Sequence, residues 1–461
     1  MRCVLLLAAL AAAARADNGG VKASTVQSLN GTWRLTDGAT HSVSATVPGD
    51  LLTDLQLAGV IGDPLYETNF RGNVWDSGNW TYSLSFTAED TASASHFLVF
   101  EGIKMVADVW FNGAYLGYTS DQFLRYTYDV SGKVAPTGNN LTLVFPTSND
   151  GRNSEERWMS CSGGWDWAPY STTSYQGKCT TFSKGIWKGV ALIGVAAGSA
   201  ALEHVAPRAY YLGAYPTEPL ADGSHGDFQV NVSVHFLAPA ATSGTLAVTG
   251  AWAGGSASVP VTLPAGRSIV NVTLPAADNA VSLWWPAQTP GAQTLYAVNV
   301  VFTPTGAAPV SDARRLGFRV VTLVTGNDTD PTTLAGKDGQ DHFTMRFKVN
   351  GANIYSRGAN MIPMEEMEGR SSDAAHRRLV QSAVEGGFNT FRLWGGGIFQ
   401  WDAWYDACDE MGVLIYHDAM FAQGNHAPSV TPTQTDEILY QVRRLSHHPS
   451  VAVWVRLCCD G

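Results

Sequence analysis

Gly386-Gly387-Phe388-Asn389-Thr390-Phe391-Arg392-Leu393-Trp394-Gly395-Gly396-Gly397 is the stretch on which the fold turns. Gly386-Gly387 stops a helix, and Asn389 to Trp394 then reads as a short strand. Trp394 and three glycines follow at its carboxyl end. In a barrel of parallel strands that end carries the chemistry. The glycines let the backbone turn tightly, and an indole beside them can lie flat against a sugar ring. The competing reading is a glycine-rich turn after a core strand.

Outward from this stretch, helix and strand signals alternate. Leu379, Val380, Ala383 and Val384 share one helical face, with Ser371, Ser372 and Asp373 as capping candidates before it. Trp401, Trp404, Tyr405 and Cys408 mark the next helix, closed by Gly412. Val413 to His417 is a strand, Ile438 to Leu445 a third helix, and Val451 to Trp454 a further strand. Upstream, a strand from Phe343 to Val349 turns at Asn350-Gly351. This is the order of a parallel α/β barrel, represented by its first half over residues 343–461, strands 1 to 4. Residues 326–342, rich in Asp, Thr and Gly, read as a linker.

Before that linker the signals are all β. Residues 17–200 show short strands between Gly, Pro, Asn and Asp, clearest in the hairpin Ala107 to Gly117 with Asn112-Gly113 at its turn. They predict an all-β sandwich. Residues 201–325 repeat the pattern with alternation at Phe228 to Phe236, Ile269 to Leu274 and Leu295 to Phe302, and predict an immunoglobulin-like β-sandwich.

The chain of 461 residues is too long for one core. A net charge of −11 without a basic run argues against nucleic acid or an anionic membrane as partner. Met1-Arg2, the apolar run Val4 to Ala14 and Ala14-Arg15-Ala16 read as a signal peptide over residues 1–16, too short to span a bilayer. Sequons at Asn30, Asn79, Asn140, Asn231, Asn271 and Asn327 agree with the secretory pathway, lysosomal or extracellular. Cys161 and Cys179 flank a tryptophan-rich segment and are candidates for a disulfide in an oxidising lumen.

Several words together resemble the glycoside hydrolases of family two, most closely the β-mannosidases. They are Asn30-Gly31-Thr32-Trp33, Val47-Pro48-Gly49, Asn79-Trp80-Thr81-Tyr82, Trp165-Asp166-Trp167, Gly185-Ile186-Trp187 and Trp284-Trp285-Pro286. Arg357-Gly358-Ala359-Asn360, Asn389 to Gly397 and His448-Pro449-Ser450 continue the match, which runs from about Leu29 to Trp454. The resemblance implies that the first sandwich is of jelly-roll, sugar-binding-like type. It also implies an exo-acting, retaining hydrolase that removes terminal β-D-mannose from oligosaccharides or glycoproteins, without metal or organic cofactor. It implies that Trp165, Asp166 and Trp167 reach the barrel mouth and bind the sugar, that Trp394 lines the same subsite, and that Arg392 holds the nucleophile carboxylate charged and aimed. Other family-two activities (β-galactosidase, β-glucuronidase, exo-glucosaminidase) and a secreted, non-catalytic sugar-binding module are the alternatives.

Two departures stand out. Asn360-Met361-Ile362-Pro363 replaces the family's Asn-Trp-Ile-Pro. After Trp454 the family continues into its acid/base glutamate, whereas here Val455-Arg456-Leu457-Cys458-Cys459-Asp460-Gly461 follows. Retaining hydrolysis needs two carboxyl groups about 5 Å apart, so the sequence predicts a chain lacking both glutamates and inactive by itself. His417-Asp418 reads as a hydrogen-bonded pair supporting its loop, and Glu365, Glu366 and Glu368 as solvated. His447-His448 has no third ligand at metal-site spacing.

Overall fold

The computed structural model describes residues 20–146 apart from 68, 70–73, 77 and 105. It further describes residues 156–159, 183–276 apart from 222–223, 280–325, 345–421 and 431–455. The predicted signal peptide, the 326–342 linker, Asn327 and Cys161 to Cys179 lie outside the described residues.

The first part is a β-sandwich. A six-stranded sheet runs in the order Ser42–Val47, Gly31–Thr36, Trp80–Phe86, Asn139–Phe145, Ala107–Phe111, Ala114–Thr119. A four-stranded sheet of Thr25–Ser28, Val190–Val195, Ser95–Phe100 and Tyr126–Asp129 contributes to the same core. Strict alternation explains the packing: in Asn139–Phe145, residues Leu141, Leu143 and Phe145 are fully buried and meet Trp33, Trp80 and Tyr82. The hairpin turn falls where the sequence placed it, with Asn112 at φ 49° and Gly113 at φ 79°, both left-handed as a two-residue turn requires.

A second sandwich follows. Ala201–Tyr211, Phe228–Ala238 and Gly266–Pro275 form one sheet; Ser256–Leu263, Thr242–Gly250, Tyr296–Pro304 and Val310–Leu316 form the other. Val230, Val232, Val234 and Phe236 from the first sheet meet Leu246, Val248, Val298, Val300 and Phe302 from the second in one apolar core.

The third part carries four parallel strands in sequential order, Gly358–Met361, Thr390–Leu393, Leu414–Asp418 and Val451–Val455. Helices Asp373–Glu385, Asp402–Met411 and Pro432–Leu445 connect them. Ser372 caps the first helix by accepting from the Ala375 amide, and Gly387, at φ 86°, takes the left-handed position after its end. Gly412 ends the second helix at φ 77° with Ala287 so close that a Cβ there would lie 2.5 Å from its amide nitrogen. The upstream hairpin turns at Asn350-Gly351 as expected and lies outside the parallel sheet. Arg346–Val349 pairs with Val321–Val324 on one side and Ala352–Ile354 on the other in a separate antiparallel sheet, because the turn at Asn350-Gly351 folds the chain back before the first parallel strand starts at Gly358.

Buried polar contacts hold the first sandwich to the parallel sheet. Arg157 makes a bidentate pair with Glu437 at 2.5 and 3.0 Å and also donates to the Met420 carbonyl at 2.6 Å. Lys104 meets Glu368 at 2.7 Å, and Asp50 accepts from the Gly369 amide at 2.7 Å. Glu366 and Glu368, expected to be solvated, are therefore buried, and Glu365 is half-buried. The second sandwich docks through the Trp284 indole, which donates to the Asp409 carbonyl at 2.8 Å, and through Arg315, paired with Asp406 and Glu410.

One buried acid tests this packing. Asp54, in the helix Leu51–Leu57, accepts from the Thr46 amide and lies 3.2 Å from the Tyr82 hydroxyl. Burial, reinforced by the nearby Asp50 charge, raises its pKa from 3.8 to about 8. The folded protein thus keeps a proton that the unfolded chain releases above pH 4, so this group's stabilisation is present below that pH and is lost as pH rises towards 8. Urea unfolding at pH 4.5 and 7.5 should show a smaller pH dependence for Asp54→Asn than for the unchanged protein. Equal dependence in both would contradict the assignment.

Candidate active site at the carboxyl ends of the parallel strands

The two faces of the parallel sheet differ. Phe391, Leu393 and Ile415 point into the apolar layer formed with Trp404, Tyr405 and Cys408 of the second helix. The register aligns Asn360, Arg392 and Tyr416 on the opposite face, since side chains alternate along each strand. These three are exposed or half-buried. Polar side chains therefore occupy this face of the sheet.

Arg392 and Asp418 dominate the upper end of that face. The Arg392 guanidinium lies 2.8 Å from the Asp418 carboxylate, whose side chain is fully buried, and the Gly395 amide donates to the same carboxylate at 3.2 Å. Burial raises the Asp418 pKa, and the Arg392 charge opposes that rise. Arg392 retains 35 % exposure, so part of its guanidinium still faces the open side. The sequence assigned Arg392 to a nucleophile carboxylate; among the described residues its partner is Asp418.

His417 and Asp418 are not a side-chain pair. The ring of His417 donates from Nδ1 to the Asp418 backbone carbonyl at 2.8 Å, which leaves Nε2 to accept from the Tyr405 hydroxyl at 2.8 Å. Burial holds its pKa down to about 3, so this imidazole is neutral. It packs among Phe399, Tyr405 and Trp454 on the helix side of the sheet.

Trp394 sits half-buried directly after the second strand. Gly396 is required beside it: a Cβ there would lie 2.3 Å from the indole Cη2. Gly397 closes against Pro363, 2.9 Å from where its own Cβ would stand. The glycine run thus lets the backbone fold around Trp394 and sets the indole at the strand ends, as the sequence reading required.

Trp165, Asp166 and Trp167 lie outside the described residues, but the chain on either side is anchored at this end of the sheet. Before them, Arg157 is fixed to Met420, just after the third strand. After them, the Ser183 hydroxyl donates to Glu368, in the loop after the first strand, at 3.2 Å. Sequence reasoning missed these anchors, because Arg157 and Glu437 stand 280 positions apart.

A separate cluster of Asp406, Asp409 and His448 brings three ligand-type atoms within 4.8 Å. Its carboxylates already have protein donors. Asp409 takes His448 Nδ1 at 2.6 Å and the Ser450 hydroxyl at 2.6 Å, and Asp406 takes Arg315.

Residues 33–188 match the glycosyl hydrolase 2 galactose-binding domain-like family. The β-mannosidase of Rattus norvegicus is 30% identical over 472 residues, covering 95% of this chain and 50% of the relative. Among solved structures, the β-D-mannosidase of Dictyoglomus thermophilum aligns with a TM-score of 0.78 and 25% identity, over 93% of this chain and 52% of that one. The exo-chitosanase CsxA of Amycolatopsis orientalis aligns with a TM-score of 0.67 at 20% identity, over 93% and 49%, and shares the fold. The chain resembles the amino-terminal part of β-mannosidases of glycoside hydrolase family two, and it spans about half the length of the curated relatives it matches.

Replacing Asp418 by Asn should release Arg392 and lower stability by about 1.5–3 kcal/mol, the usual worth of a hydrogen bond to a charged group. An unchanged urea midpoint would show that the pair does not hold the strand ends together.

Proposed function

We propose that this chain provides the sugar-binding side of a retaining exo-β-mannosidase, which removes terminal β-D-mannose from the non-reducing end of oligosaccharides or glycoproteins. The observation that carries this reading is the placement of Trp394. A half-buried indole held by Gly396 stands at the carboxyl ends of parallel strands, beside a segment whose two flanks are anchored there. The resemblance to β-mannosidases over nearly the whole chain supports it.

In this reading the four parallel strands are the first half of an α/β barrel, preceded by a sugar-binding-like sandwich over 17–200 and an immunoglobulin-like sandwich over 201–325. Trp394 covers the apolar face of the terminal mannose. Trp165 and Trp167 close over it, and Asp166 accepts hydrogen bonds from its hydroxyls. Arg392, aimed by Asp418, directs its remaining donors towards the reacting end of the sugar. Hydrolysis with retention further requires a proton-shuttling carboxyl and an attacking carboxylate about 5 Å apart. Asp418 serves neither role, because Arg392 and the Gly395 amide occupy it. The sequons at Asn30, Asn79, Asn140 and Asn271 are exposed, which fits passage through the secretory pathway. Among the described residues no helix is long and apolar enough to cross a membrane.

The test is hydrolysis by the protein purified from its own cells, with aryl β-D-mannoside, β-galactoside, β-glucuronide and β-glucosaminide compared. The mannoside should be preferred, and the first-formed product should be the β anomer. Trp394→Ala, and Gly396→Ala through displacement of the indole, should each cost at least about tenfold in kcat/KM, equivalent to ~1.4 kcal/mol. Preference for another glycoside, or indifference to both substitutions, would overturn the assignment.

A further inference from the structure

A second surface stands apart from the strand ends. On the outer face of the six-stranded sheet, Trp110 is 38% exposed, and Tyr115, its register partner on the next strand, is 50% exposed. Their ring centroids lie 4.9 Å apart at a tilt of 55°, so the two form one apolar platform. Alternation sends Trp110 outward, because Val109 and Phe111 point into the core. The same face carries Ser83 and Thr142 on the neighbouring strands. An indole is the exception there and leaves apolar area that needs a cover.

Asn140 lies beside this platform. Thr142 faces Trp110 directly across the sheet, so Asn140 is the diagonal neighbour of the indole, a relation that sets Cβ atoms about 7–8 Å apart. Asn140, Thr142 and Trp110 line one depression of about 890 Å³, together with the small residues Gly113, Ala135 and Gly138. A Cβ added at Gly113 or Gly138 would meet nothing within 4 Å, so the space above them is open.

The asparagine is held in place while its amide nitrogen is spare. Its backbone N–H donates to Asn112 Oδ1 at 2.7 Å, and its carbonyl accepts from the Asn112 amide at 2.9 Å. Its side-chain oxygen accepts from the Thr142 hydroxyl at 2.8 Å, whereas Nδ2 has no hydrogen-bond partner among the described residues. Replacing one Nδ2 hydrogen by a sugar therefore breaks no hydrogen bond there.

We propose that Asn140 carries an N-linked glycan whose first sugar lays its C–H face on Trp110, making the glycan the cover of this platform. The sequon is Asn140-Leu141-Thr142, and the proposal rests on the passage through the secretory pathway read above. In the attachment, Nδ2 bonds to the anomeric carbon of a lipid-diphosphate oligosaccharide. The bond from that carbon to the diphosphate oxygen breaks, the lipid diphosphate leaves with the electron pair, and the Nδ2 proton passes to a base of the transferring enzyme. Tethering at the diagonal position gives the sugar a high effective concentration over the indole, so a weak stacking contact suffices. The sugar hydroxyls then face water in place of the aromatic rings.

Protein purified from its own cells tests the proposal. Enzymatic release of glycans in heavy-oxygen water, followed by peptide mass spectrometry, should mark Asn140 as occupied. Hydroxyl-radical footprinting of the folded protein should show Trp110 oxidised several-fold faster once the glycan is released. Tyr66, 63% exposed and outside this sheet, should be unchanged. Asn140→Gln from the same cells should match the released protein, with an unchanged Tyr66 rate as the sign of a kept fold. An unoccupied Asn140 beside occupied Asn30 or Asn79 would overturn the proposal and leave the secretory reading standing, whereas no occupied sequon would overturn both. An occupied Asn140 with equal Trp110 oxidation before and after release would also overturn the proposal, because the indole would then lie uncovered.

Discussion

The arrangement depends on one buried ion pair, Arg157 with Glu437, whose side chains are 2% and 0% exposed. Arg157 extends from the first sandwich, and Glu437 belongs to the third helix of the parallel part. Two oxygens and a backbone carbonyl take the planar guanidinium, and the Phe421 ring covers it at 4.7 Å. Such a pair contributes little net stability relative to an apolar substitute, yet removing one partner typically costs about 3–5 kcal/mol, because a charge is then stranded without water. Its effect is geometric. It fixes which loop of the sandwich lies against which end of the sheet. Asp121 lies beside the pair, and burial together with the Glu437 charge pushes its carboxyl well above the usual range.

From this pin the site follows. The parallel sheet sends its large apolar side chains towards the helices and leaves Asn360, Arg392, Tyr416 and Asp418 on the other face. A buried carboxylate would be costly there without Arg392 and the Gly395 amide. With them it becomes a fixed brace for a cation that still reaches the open side. Trp394 is held in the same way, by space rather than charge, because the glycines after it have no side chain to displace the indole. Among the described residues these groups all come from the parallel part, and neither sandwich core contributes residues to them.

Local features were legible in the sequence. Asn112-Gly113 announced its turn through a left-handed conformation that few other pairs adopt, and Ser372 and Gly412 marked helix ends through capping chemistry. The strand Thr390–Leu393 followed from its apolar run between two glycine clusters. Long-range partners were not legible. Glu366 and Glu368 sit in a polar-looking loop, and nothing local shows that Lys104, 264 residues away from Glu368, will bury it. Arg392 looked like a catalytic support on motif grounds, but its carboxylate partner could be named only once the register brought the third strand beside the second.

A crystal structure of the protein soaked with a slowly hydrolysed β-mannoside tests the central claim most directly. The account predicts a terminal mannose stacked on the Trp394 indole, with a hydroxyl donated to Asp166 and the glycosidic oxygen on the Arg392 side. A sugar bound elsewhere, with Trp394 uncovered at saturating ligand, would contradict it.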